Sequence, residues 1–117
     1  MRWCMRKEQH TNLYLKDILN SINAIEKYVK SFSFEKYLKD QKTIDAVIRN
    51  FEIIGEAANA LPNEFVKKHS DIPWNKIISM RHKMIHEYFG VDQSVLWQTI
   101  HKDLPVFKKQ VKRLFKK

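Results

Sequence analysis

Residues 40–62 read DQKTIDAVIRNFEIIGEAANALP, and the spacing inside that stretch decides the fold class. Ile44, Val47, Ile48, Phe51, Ile54, Ala58 and Leu61 recur every three or four positions. That period places them on one face of an α-helix and leaves the charged residues on the other. Asp40 stands where the run begins, and Pro62 stops it, because proline has no N–H with which to continue a helix. Gly55, beside Ala57 and Ala58, interrupts an otherwise good helix former at a cost of ~1 kcal/mol relative to alanine. A helix keeps glycine at such a place when another backbone must approach closely. Gly55 therefore marks an expected helix-crossing point.

The same period extends outward in both directions. Upstream, Leu15, Ile18, Leu19, Ile22, Ile25 and Val29 predict a helix from Thr11 to about Lys30, preceded by ten residues without clear periodicity. Between the two helices, Ser33 is placed to cap a single turn that tucks Phe34 and Leu38 under the bundle. Downstream, the link from Asn63 to Pro73 carries Phe65 and Val66 as apolar anchors. A third helix is expected from Pro73-Trp74, proline being favoured at a first helical position. Its inward residues are Trp74, Ile77, Ile78 and Ile85, and Gly90 marks the turn that ends it. Asp92 is placed to cap a fourth helix, with Val95, Leu96, Thr99, Ile100, Leu104, Phe107, Val111 and Leu114 along its face. Pro105 should kink that helix or split it in two. With no internal repeat and no linker, the expected architecture is one all-α domain over residues 1–117, an antiparallel bundle of four to five helices.

Composition agrees with this. Two glycines and three prolines in 117 residues leave little turn material for a many-stranded sheet. The net charge of +9 attracts polyanions such as RNA, DNA or an acidic protein. Lys108-Lys109, Lys112-Arg113 and Lys116-Lys117 concentrate it at the C-terminal end, where a solvated helix face is the plain alternative. The single cysteine, Cys4, excludes an intramolecular disulfide and suits a reducing cytoplasm. No apolar run reaches membrane-spanning length, and residues 1–7 lack the apolar core of a signal peptide. The expectation is a soluble, cytoplasmic protein.

Chemistry concentrates in residues 80–92, MRHKMIHEYFGVD. Arg81 falls on the apolar stripe of the third helix, where an unpaired charge is costly unless it serves a polar cleft. Four residues separate it from His86, and Tyr88 follows. A guanidinium can fork onto a phosphate and an imidazole can move a proton near neutral pH. The pair is a sufficient kit for cleaving RNA through its own 2′-hydroxyl without a metal ion. His86 would take the 2′-OH proton or protonate the leaving 5′-oxygen, while Arg81 would offset charge on the phosphorane. On a regular helix, however, positions 81 and 86 leave the axis ~140° apart, whereas 81 and 88 are nearly in line. Either the helix unwinds around His86, or a two-fold dimer completes the site from two copies of the chain. The dimer is favoured.

The pattern Arg81, four residues, His86-Glu87-Tyr88, then Phe89-Gly90-Val91-Asp92, resembles the signature of the HEPN superfamily and, within it, of the HepT-like toxins. Thr43 to Asn50 with Ile54-Gly55-Glu56-Ala57-Ala58 resembles that family's second helix. Ile72-Pro73-Trp74 leading to Arg81 resembles its third, and Asp103-Leu104-Pro105 its last. The resemblance covers roughly residues 11–114. It implies an all-helical homodimer, a metal-independent endoribonuclease toxin of a type II or type VII toxin–antitoxin pair, with Arg81 and His86 lining the dimer cleft. It also implies a minimal-nucleotidyltransferase antitoxin, able to transfer AMP onto Tyr88 and to form higher hetero-oligomers. No cofactor is implied. One position departs from the family pattern: His82 follows the motif arginine where a small polar residue is common, and it becomes an accessory candidate for proton transfer.

Plainer readings stand beside these. His82 and His86 could share a helix face and bind zinc, but two ligands make a weak site and nothing nearby completes it. Glu87 reads as structural, paired with Arg81 or Lys83, or as solvent-facing. Tyr88 outside its motif would be an interface or core aromatic. Trp74 and Trp97 read as core, and His10, His69 and His101 as surface. Glu56 matches a family position without a role that spacing can assign. The rival function is a non-catalytic module that binds nucleotide or nucleic acid, or an adaptor that only docks a nucleotidyltransferase.

Overall fold

Each of the four amphipathic runs forms helix, and two short helices fill the links between them. The computed structural model describes residues 7–86 and 92–115, with side chains over 10–82 and 92–115. In order come α1 (Lys7–Val29), α2 (Phe34–Leu38), α3 (Gln41–Ala60), α4 (Asn63–Lys68), α5 (Trp74–His86), α6 (Gln93–Gln98), a π-helical turn (Thr99–Asp103) and α7 (Leu104–Leu114). No strand occurs among the described residues. At 1.5 Å per residue, α1 and α3 would measure about 64 Å end to end. The molecule is only 46 Å in its longest dimension, so the two helices must lie side by side. The short link through α2 returns α3 antiparallel along α1, and the chief packed pairs are α1 with α3 and α3 with α5.

Helix boundaries follow the local chemistry. Ser33 caps α2, its hydroxyl accepting from the Lys36 amide at 3.1 Å, and Asp40 caps α3 by accepting from Thr43 N at 3.1 Å. Asp92 caps α6, its Oδ1 accepting from the Ser94 amide at 2.9 Å, the Ser94 hydroxyl at 2.7 Å and the Val95 amide at 3.4 Å. Those donors, the Ser94 hydroxyl first, hold its carboxyl below the usual aspartate range. Between α1 and α2 the chain turns at Ser31, a non-glycine residue in the left-handed region with φ 69°.

Most of the predicted core is buried, with Leu19, Ile77, Ile78 and Trp97 partly buried against it; Ile85 lies outside the described side chains. Ile18, Ile22 and Ile25 of α1, Val47, Phe51 and Ile54 of α3, Trp74 of α5 and Leu104, Phe107 and Val111 of α7 are all buried. Trp74 meets Phe107 edge-on, ring centroids 6.0 Å apart. It also donates its indole N–H to the His69 carbonyl at 3.0 Å, which ties the link into the core. A second aromatic group joins α2 to α6: Trp97 lies 5.0 Å from Tyr37 and 5.7 Å from Phe34, centroid to centroid. The Tyr37 hydroxyl donates to Gln93 Oε1 at 2.7 Å, and burial pushes the phenol up to about 12.

Three expectations change. Tyr37, not Leu38, is the residue α2 tucks inward; Leu38 is one position further round the turn and stays exposed. Val95 is also exposed, since Leu96 takes the inward place in α6. Of the two outcomes expected at Pro105, a kink or a split, the split does not occur, because α6, the π turn and α7 follow without a gap. In the π turn the Leu104 amide reaches back to the Thr99 carbonyl, five residues away. The physical reason is twofold. A proline ring clashes with the carbonyl four residues before it in an α-helix. In addition, the buried run Leu96, Ile100, Leu104 steps by four, overshooting an α-turn by ~40° each time. A wider turn absorbs both.

Candidate active site

Arg81 sits in the last turns of α5, where that helix crosses α3 at Gly55. The contact is as close as two helices allow. A methyl group added to Gly55 would overlap the Arg81 Cβ and lie 2.9 Å from its Cγ and 3.0 Å from its Cδ. The stem of the arginine therefore runs across the glycine, on the surface that α3 leaves bare. This is the crossing point anticipated from the glycine alone. Spacing did not show that the residue crossing there is the motif arginine.

The head group is held at the edge of that contact. Arg81 Nε is buried and has no hydrogen-bond partner among the described residues. Its Nη2 lies 3.9 Å from Glu56 Oε2, with 30% of the arginine side chain and 49% of the glutamate side chain accessible. That separation is too long for a hydrogen bond but close enough for a charge interaction. Burial of Nε leaves the two terminal nitrogens as the fork open to an anion, and two parallel N–H groups match the oxygens of a phosphate. Neighbouring His82 is exposed.

The α5 backbone stays α-helical from Trp74 to His86. Helical geometry thus persists from position 81 to position 86, and the two positions leave the axis ~140° apart. The His86 side chain lies outside the described side chains. Glu87 and Tyr88 lie outside the described residues altogether, as does Gly90.

Beside the crossing, α5 and the α6–α7 helix diverge to leave an apolar groove of about 550 Å³. Phe51 and Ile54 form its floor, Ile77 and Met80 one wall, and Val95 and Val106 the other. Spacing gave no sign of it, since a groove depends on how far apart two helices sit. Among the described residues no three His, Cys, Asp or Glu side chains gather as a metal site, and no helix is long and apolar enough to cross a membrane.

An all-helical bundle that seats the arginine of an Arg-(four residues)-His-x-Tyr motif on a helix-crossing glycine has a family. The chain belongs to the HepT-like ribonuclease family, whose model, "Ribonuclease HepT-like", matches residues 18–114. Among individual proteins, it is 46% identical over 110 residues to one from Thermococcus cleftensis named "Probable ribonuclease HepT", covering 94% of this chain and 99% of that one. It is 47% identical over 104 residues to a protein of Caldanaerobacter subterraneus named "Putative RNase", covering 89% and 93%. A Methanocaldococcus jannaschii protein, 41% identical over 110 residues, matches 94% of this chain with only 49% of its own length. Its name joins a gamma-glutamylcyclotransferase to an RNase. No solved structure matches the chain.

Proposed function

We propose that this chain is a single-domain, metal-independent endoribonuclease, the toxin of a toxin–antitoxin pair, acting on cytoplasmic RNA as a homodimer. The observation that carries the reading is the seating of Arg81: its stem is fixed against Gly55, its Nε is buried, and its terminal nitrogens remain at a solvent-facing edge. A charged side chain so placed on an apolar stripe suits an anion that arrives, binds and leaves. Family membership supplies the anion's class, since the relatives are named as ribonucleases.

Each step has a candidate group. The 2′-oxygen attacks the adjacent phosphorus as its proton passes to an imidazole, the 5′-oxygen departs with a proton, and a 2′,3′-cyclic phosphate and a 5′-hydroxyl remain. His86 is assigned the proton transfers, and Arg81 the charge that builds on the phosphorane oxygens. The divergence of positions 81 and 86 on a continuous helix supports a site in which the guanidinium and imidazole acting on one phosphate come from two subunits. His82 is the accessory candidate. A nucleotidyltransferase antitoxin would silence the site by placing AMP on Tyr88, adding a phosphodiester charge and a bulky nucleoside where RNA phosphate must lie.

The test is cleavage of RNA by the purified chain in EDTA, with sedimentation to measure self-association. Removing a charge-stabilising donor costs ~10²–10³-fold and removing general acid–base catalysis ~10²–10⁴-fold. Arg81→Ala and His86→Ala should each lose activity on that scale. A mixture of the two inactive variants should recover part of it if the site spans two subunits. Uncut RNA with the unmodified wild-type dimer would favour an adaptor that only docks its partner. Co-expression with the antitoxin should add adenylyl mass that Tyr88→Phe abolishes.

A further inference from the structure

We infer that Glu56 is a positioning residue for Arg81, forming with Gly55 a seat that fixes the guanidinium before RNA arrives. The inference rests on the reading of Arg81 as the phosphate-facing group and adds a residue that reading leaves without a role. Gly55 and Glu56 are consecutive in α3 and act on opposite ends of one side chain. The glycine admits the stem, and the glutamate meets Nη2 at 3.9 Å.

The physical need for such a seat is clear. An arginine loses rotamer freedom when its side chain is fixed. If substrate binding bore that cost, part of the phosphate contact would be spent on ordering the arginine. Here Nε is already buried without a hydrogen bond among the described residues, and such burial costs free energy. Among the described residues, contact with α3 at Gly55 and the attraction of Glu56 hold the group there. The carboxylate also opposes RNA, because it places a negative charge beside the phosphate position. Preorganisation and repulsion therefore act on different kinetic constants. The tether raises kcat by presenting the guanidinium in one orientation, and the charge raises KM by repelling the ground-state phosphate.

Three Glu56 variants separate these effects. Glu56 is exposed, so its substitutions leave the core intact. Glu56→Gln should lower kcat about tenfold, less than deletion of the donor itself, and should also lower KM for a short RNA. Glu56→Asp keeps the charge but loses reach, so kcat should fall similarly with KM unchanged. Glu56→Ala should follow the Gln variant. A merely structural role would reduce the active fraction and the melting temperature without lowering KM. A second readout does not need turnover. In protein labelled with ¹⁵N at arginine Nε, the Arg81 N–H signal should show slow exchange and restricted motion in wild type, and both should be lost in Glu56→Gln. Wild-type kcat and KM in Glu56→Gln, with an unchanged Arg81 signal, would overturn the inference. Failure of wild type to cleave RNA, with the Arg81 signal still responding to Glu56, would instead remove the nuclease reading and leave the seat standing.

Discussion

Replacing Gly55 by alanine tests the crossing on which the site depends. Two opposed effects set the outcome. Alanine is the better helix former by ~1 kcal/mol, and on an open helix face the substitution would stabilise. At this crossing the new methyl would overlap the Arg81 Cβ and crowd Cγ at 2.9 Å and Cδ at 3.0 Å. A Cβ is fixed by its own backbone, so relief requires α5 to move away from α3, at the ~1–3 kcal/mol typical of overpacking. The expected net is a loss of up to ~2 kcal/mol, which lowers the melting temperature by several degrees for a domain of this size. The companion substitutions sharpen the test. Arg81→Ala keeps the offending Cβ, so Gly55→Ala should remain destabilising in that background. Arg81→Gly removes it, and there Gly55→Ala should become stabilising by up to ~1 kcal/mol. Chemical denaturation of the three single variants, the two double variants and wild type gives these differences directly. A Gly55→Ala protein as stable as wild type or more so, with Arg81 intact, would refute the close crossing and with it the seating of the arginine.

Two further outcomes concern stability away from the site. The Tyr37 phenol is pushed up to about 12 by burial, above its unfolded value near 10. Its contribution is therefore complete below pH 10 and is lost as the pH rises toward 12. Tyr37→Phe should cost ~0.5–1.5 kcal/mol at neutral pH through the lost Gln93 bond, while flattening the decline of stability between pH 10 and 12 in a denaturation series. Ser31 holds a left-handed backbone at φ 69°, which costs an L side chain roughly 1–2 kcal/mol. Ser31→Gly should raise the denaturation midpoint; an unchanged or lowered midpoint would mean that the serine is not strained there.

Apolar spacing alone was enough to specify a helical bundle and most of the residues that fill it. Apolar spacing of three and four is a local property, so Ile44 to Leu61 announced their helix and buried face without reference to any neighbour. Caps are equally local, which is why Ser33 and Asp92 were legible from side-chain chemistry alone. The motif Arg81, His86, Tyr88 was legible as chemistry and as family, but the seating of its arginine is a property of two packed helices. Tertiary structure decided that the glycine in α3 and the arginine in α5 meet, that Glu56 reaches the guanidinium, and that a groove opens beside them. It also decided that Tyr37 rather than Leu38 turns inward, and that Pro105 widens its helix rather than breaking it. Helix formation depends on neighbours three and four residues apart. Distances between residues 26 apart in the chain, such as Gly55 and Arg81, are set only when the whole core closes.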